Sequence, residues 1–132
     1  MKNQSLITPI RLQAYERLVL FLERIQPNSL IMRTQKKEQT ARQLQSELLS
    51  TIRSEFEHNL SQQVYISTNA WEIVKSAKEN TLRIINSASD EIGENDDAMA
   101  LSKAIITKVV DVGKSPSDLA IEYLKKEVGQ YF

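Results

Sequence analysis

The run Glu55-Phe56-Glu57-His58 is where residue type and spacing come closest to chemistry in this 132-residue chain. A carboxylate and an imidazole three residues apart share one face of a helix and can reach one metal ion. Ferritin-like di-iron bundles use two such Glu-x-x-His motifs together with two further glutamates. His58 is the only histidine, so a second motif would have to come from a second copy, and Phe56 claims the core-facing side of the same turn. The reading that follows is a histidine near a helix C-terminus, where the dipole favours positive charge. One histidine with carboxylates is an equally poor zinc set. The chain has no cysteine, which removes thiolate metal sites, disulfides and a cysteine nucleophile. No serine stands in a Gly-x-Ser-x-Gly elbow. A metal-dependent or other small helical-bundle enzyme using Glu55, Glu57 and His58 is therefore the alternative reading, and no catalytic, cofactor-binding or metal residue is assigned.

Three other features invite a partner. Asp90 to Asp97 is an acidic loop whose spacing does not match the EF-hand pattern, so it reads as a solvated loop with an aspartate cap. Arg33, Lys36, Lys37 and Arg42 form the one basic cluster. It lacks the interleaved aromatics of a nucleic-acid surface and reads as a solvated loop, with contact to anionic lipid headgroups as the sharper alternative. Leu20 is different, because it breaks a local rule. With residues placed about 100° apart, Leu12, Tyr15, Leu18, Val19, Phe21, Leu22 and Ile25 cover an arc of about 180°. Leu20 falls in the middle of the opposite, polar side, flanked by Arg17 and Arg24, whose aliphatic stems widen the apolar spot. Leu20, Arg17 and Arg24 form the candidate surface for a protein partner or for self-association. Burial under a lid formed by Leu30, Ile31 and Met32, or plain exposure, is the competing reading.

The elements that must position these residues are all helical. Thr8-Pro9 predicts the start of a first helix running from about Pro9 to Ile25, with Pro27 closing it. Residues 28–35 predict a turn or short extra helix. Thr40 and Gln43 make a capping box for a second long helix ending near His58 or Asn59, with Leu44, Leu48, Ile52 and Phe56 inward. Val64-Tyr65-Ile66 is strand-like in composition but has no partner run, so it is expected to be an extended linker. Ser67 caps a third helix reaching about Glu91, and Ile66 and Trp71 form a hydrophobic staple across that cap. Asp96 or Asp97 caps a fourth helix, with Leu101, Ile105, Val109 and Val112 inward and Gly113 at its end. Ser115-Pro116 opens a fifth, with Ala120, Leu124, Val128 and Tyr131 inward. The expectation is a single all-α domain over 1–132: an antiparallel bundle of four to five helices with the first one central and neighbours folded back by short links.

Composition bounds the function. Hydrophobic residues make up 41% and charged residues 26%, values of an ordinary folded domain rather than a disordered one. Basic and acidic residues both number 17, so no net field recruits nucleic acid. The halves differ mildly, residues 1–66 carrying nine basic and six acidic side chains. The longest unbroken apolar run, Leu18 to Leu22, is far short of the roughly 20 residues that span a bilayer.

Pro9-Ile10-Arg11-Leu12-Gln13-Ala14-Tyr15-Glu16-Arg17-Leu18, Leu20-Phe21-Leu22-Glu23-Arg24-Ile25, Glu55-Phe56-Glu57-His58-Asn59-Leu60-Ser61-Gln62-Gln63 and Ala70-Trp71-Glu72 resemble a family of small bacterial proteins of unknown function. The resemblance implies an N-terminal membrane-spanning helix, a charged linker and a helical cytoplasmic domain. The spanning helix has no counterpart before Thr8, so the chain is expected to be the soluble domain of a longer protein, held at the cytoplasmic side of the inner membrane. No activity comes with the resemblance. The expected role is a non-enzymatic interaction or scaffold domain that needs no cofactor, binds no nucleic acid, and touches a membrane only through that anchor.

Overall fold

The structure, a computed structural model, describes residues 4–132. Its helices are α1 (Gln4–Arg24), α2 (Pro27–Thr34), α3 (Ala41–Glu57), α4 (Thr68–Asp90), α5 (Ala98–Val112) and α6 (Pro116–Tyr131), with a 3-10 segment, Leu60–Tyr65, between α3 and α4. Among the described residues there is no strand, only an isolated bridge between Thr40 and Asp97. Five long helices with the short α2 make the all-α bundle that the periodicity predicts. No helix among the described residues is long and apolar enough to cross a membrane.

Local hydrogen-bond chemistry places most of the helix starts. The first amides of a helix lack intrahelical partners, and a side-chain oxygen at the cap supplies one. The Thr40 hydroxyl accepts from Gln43 N–H (3.2 Å) while the Gln43 side chain accepts from Thr40 N–H (3.0 Å), completing the capping box. Ser67 accepts from Ala70 N–H, Asp97 from Met99 N–H and Ser115 from Asp118 N–H. The starts of α3 and α5 are also lashed to each other. Ala41 N–H donates to the Asp96 carbonyl (2.7 Å) and Ala98 N–H to the Gln39 carbonyl (3.0 Å). The acidic loop is thus a structural clasp: Asp97 caps α5, and the Asp96 carboxylate accepts from Gly93 N–H.

Helix directions follow from who meets whom. Gln45, in the second turn of α3, bonds Asn86 and Ser89 near the end of α4, so the two run antiparallel. Gln26, just past α1, bonds Ser115 and Asp118 at the start of α6, while Tyr15 stacks edge-on against Phe132 after its end. Those helices are antiparallel too.

Several expectations need correction. The first helix begins at Gln4 and passes through Pro9, so Thr8 is not its cap. A proline this near a helix start removes a single interior hydrogen bond, which a longer helix can absorb. Pro27 does not merely close α1; it is the first residue of α2. Val64 and Tyr65 belong to the 3-10 segment, and only Ile66 is extended. The hub is α4 rather than α1. It packs against α3, α5, α6 and α1. Its buried Ala70, Ala77, Thr81 and Ala88 let those neighbours come close. Although three residues join α5 to α6, the two barely touch and lean on α4 instead. Gly113, with φ +96, makes the turn that lets them diverge. Val109 still packs partly against the core, but beyond it α5 stands clear, leaving Val112 exposed rather than inward. On α6, Tyr131 is likewise exposed, and Ile121 and Glu127 take inward positions instead.

One large core cluster joins all six helices. Tyr15 lies within it, and its hydroxyl accepts a long hydrogen bond from Ser67 N–H (3.4 Å). Burial, partly offset by the Ser67 amide and reinforced by the charge of Glu127, pushes the Tyr15 phenol above its ordinary value near 10. The neutral phenol is the form that the fold favours. Its contribution to stability is complete below pH ~10 and declines as pH climbs through the folded-state value. The melting temperature is expected to fall in that alkaline window, and Tyr15→Phe to fall less. A melting curve for Tyr15→Phe that tracks the parent from pH ~9 to ~11 would show that the phenol is not the group responsible.

Candidate functional site

The structure brings the two sequence candidates into one groove. On α1, Arg17, Leu20 and Arg24 are spaced i, i+3 and i+7 and so share a stripe. On α3, Glu55, His58 and Asn59 occupy the last turn and its cap. These two edges face each other across a recess of about 290 Å³ with Phe21 also in its lining. Leu20 is 59% exposed at the edge of this recess. The lid reading fails for a simple reason: Leu30 and Ile31 turn inward into the core, while Met32 points to solvent at 85% exposure.

Polar side chains in the groove are largely bonded to one another. Arg24 Nε donates to Glu55 Oε1 at 2.5 Å. Arg33 bonds the last carbonyl of α1, at Arg24 (2.6 Å), and lies 3.6 Å from the other Glu55 oxygen. Glu55 is therefore held by two guanidiniums rather than left open to a metal. His58 is the C-cap of α3, its N–H bonded to the Ser54 carbonyl, and the Asn59 side chain donates to the Glu55 carbonyl. Glu57 faces another recess with Arg53 and Lys78. The structure thus keeps Glu55 beside His58 but separates Glu57 from both, and no group of three metal-ligating side chains occurs among the described residues. Arg17 has no acidic partner among the described residues. Its helical neighbours at i±3 and i±4 are Gln13, Ala14, Leu20 and Phe21, none of them acidic.

The basic cluster does not survive as one patch. Arg33 is used at α1 and Glu55, Lys36 lies 3.6 Å from Glu47, and Arg42 pairs with Glu94 at 3.0 Å. Only Lys37 of the four shows no acidic partner among the described residues, which weakens the headgroup reading.

Sequence reasoning missed a second, larger groove between α2 and α5, of about 680 Å³. Ile31 and Met32 line one side of it, Met99 and Ile106 the other, and Lys103 is its one charged residue. A signal was present. Met99, Ile106 and Val110 recur at seven and four residues on α5, outside the inward set Leu101 and Ile105, so this helix is apolar on two sides.

A model of a family of unknown function (DUF7935) matches residues 1–131. No curated protein and no solved structure matches the chain. The chain belongs to this family of unknown function.

Proposed function

We propose that this domain is a non-enzymatic interaction module that docks a protein through the outer edge of α1. The observation carrying the reading is Leu20, a large apolar side chain standing exposed between two arginines at a groove. An apolar anchor inside a polar rim is how small interfaces concentrate their affinity. The same reading places the domain at the inner face of a membrane in a longer protein, supported by the resemblance of the stretches around Pro9, Leu20, Glu55 and Ala70. The enzyme reading loses ground because Glu55 is committed to Arg24 and Arg33 and Glu57 faces elsewhere.

Leu20→Glu tests the docking surface. A surface change usually shifts stability by no more than about 0.5 kcal/mol, so the helical spectrum and melting temperature are expected to hold. Self-association by sedimentation, or recovery of a partner from native membranes, is expected to weaken. If the variant leaves both untouched, Leu20 is an ordinary exposed leucine and the docking surface lies elsewhere.

A further inference from the structure

We infer that the Leu20 groove takes an acidic segment of its protein partner, one that sets carboxylates beside a large apolar side chain; this rests on the docking role proposed for the same edge of α1. Charge decides the chemistry. The groove's lining has two guanidiniums, Arg17 and Arg24, and one carboxylate, Glu55; a third guanidinium, Arg33, stands on that same carboxylate. Glu55 is thereby neutralised in place and does not repel an incoming acid. Arg24 spends its Nε on Glu55 and remains 46% exposed, so its orientation is fixed while other donors of the fork stay available. Arg17 is exposed and forms no ion pair among the described residues.

Spacing narrows the ligand further. Along α1, Arg17 precedes Leu20 by about 4.5 Å and Arg24 follows it by about 6 Å. A complementary segment therefore carries an apolar residue for Leu20 and Phe21 and a carboxylate to one or both sides, within about one helical turn. At the end of α3 the Asn59 side chain donates to the Glu55 carbonyl and His58 N–H to that of Ser54, which blunts the negative end of the helix dipole there. The α2–α5 groove offers no such match: its lining holds the single cation Lys103.

The test uses the whole domain and short fluorescent peptides in three versions. One alternates glutamate with leucine, one replaces glutamate by glutamine, and one replaces leucine by serine. Fluorescence anisotropy is expected to show binding of the first, weaker binding of the other two by about tenfold each, and loss of affinity as salt rises. Arg17→Glu is expected to abolish the preference for glutamate over glutamine, and Leu20→Ser the preference for leucine over serine. Met32→Ser, in the other groove, is expected to change neither. Equal binding of the glutamate and glutamine peptides overturns the acidic requirement while leaving Leu20 as a docking anchor. Failure of all three peptides, with Leu20→Glu still weakening association, overturns it in the same way. Binding to phosphatidylserine vesicles but not to peptide, lost in Arg17→Glu, assigns the groove to a lipid surface and overturns the protein segment. Failure of the peptides with Leu20→Glu also silent removes the docking reading itself.

Discussion

Trp71→Ala is expected to cost about 3–5 kcal/mol, the usual penalty for emptying a large buried aromatic site. For a domain of this size, that lowers the melting temperature by something on the order of 10–20 °C, read from the helical circular dichroism signal. Trp71 is 7% exposed at the fourth position of α4, and Ile66, just before the cap, is buried too. The indole also stacks on Phe56 of α3 at 5.3 Å and 22°, and Phe56 in turn meets Phe21 of α1 at 5.9 Å. Lys78 sits 4.1 Å from the Phe56 ring centre, closing the cluster with a cation. One truncation therefore empties the junction of three helices and releases the staple at the entry to α4. A melting temperature shifted by less than a few degrees would mean that the neighbouring rings close over the space, and that the tryptophan is not the keystone of this end of the bundle.

What could be read from the chain follows a physical divide. Thr40 with Gln43, Ser67 and Ser115 were legible as caps, and Asp97 as one of a pair with Asp96, because each satisfies amides two or three residues away, with no help from the rest of the fold. Leu20 was legible as an outlier because a helix has fixed geometry, so its angular position on α1 follows from its number. Its meeting with His58 was not legible. That depends on how α1 and α3 pack, and 37 intervening residues of helix and turn set it. The same divide separates Met32 from Met99. Errors arose where a local rule met a tertiary demand. Pro9 signals a helix start, yet α1 begins five residues earlier. Val64 and Tyr65 suit a strand, yet they wind into a 3-10 segment where Gln62 N–H bonds Asn59 and the Gln63 side chain bonds Leu60. Placing α1 at the centre failed for a related reason. A wide apolar arc shows that a helix is well covered, whereas the small buried residues of α4 show which helix the others can crowd around.

Glu127 is the residue whose position no polarity rule would assign, and it carries the second large expected effect. Ala120, Leu124 and Glu127 follow one face of α6 at four- and three-residue spacing, and the glutamate is only 5% exposed. One of its carboxylate oxygens, Oε2, has no hydrogen-bond partner. A buried polar atom left unpaired costs about 1–3 kcal/mol, more when it is charged. Methionine has nearly the same length and no such requirement. Glu127→Met is expected to raise stability by about 1–3 kcal/mol, as hydrophobic replacement of buried charge often does. A second readout checks the cause. The charge of Glu127 helps hold the Tyr15 phenol above its ordinary value, so removing it should bring the phenol titration down towards the usual range. Ultraviolet titration of tyrosine in alkali would register that shift. Greater stability together with a lowered Tyr15 titration identifies Glu127 as a carboxylate the fold tolerates at a cost. A destabilised variant would show instead that the carboxylate contributes more beside Tyr15 than its desolvation takes away.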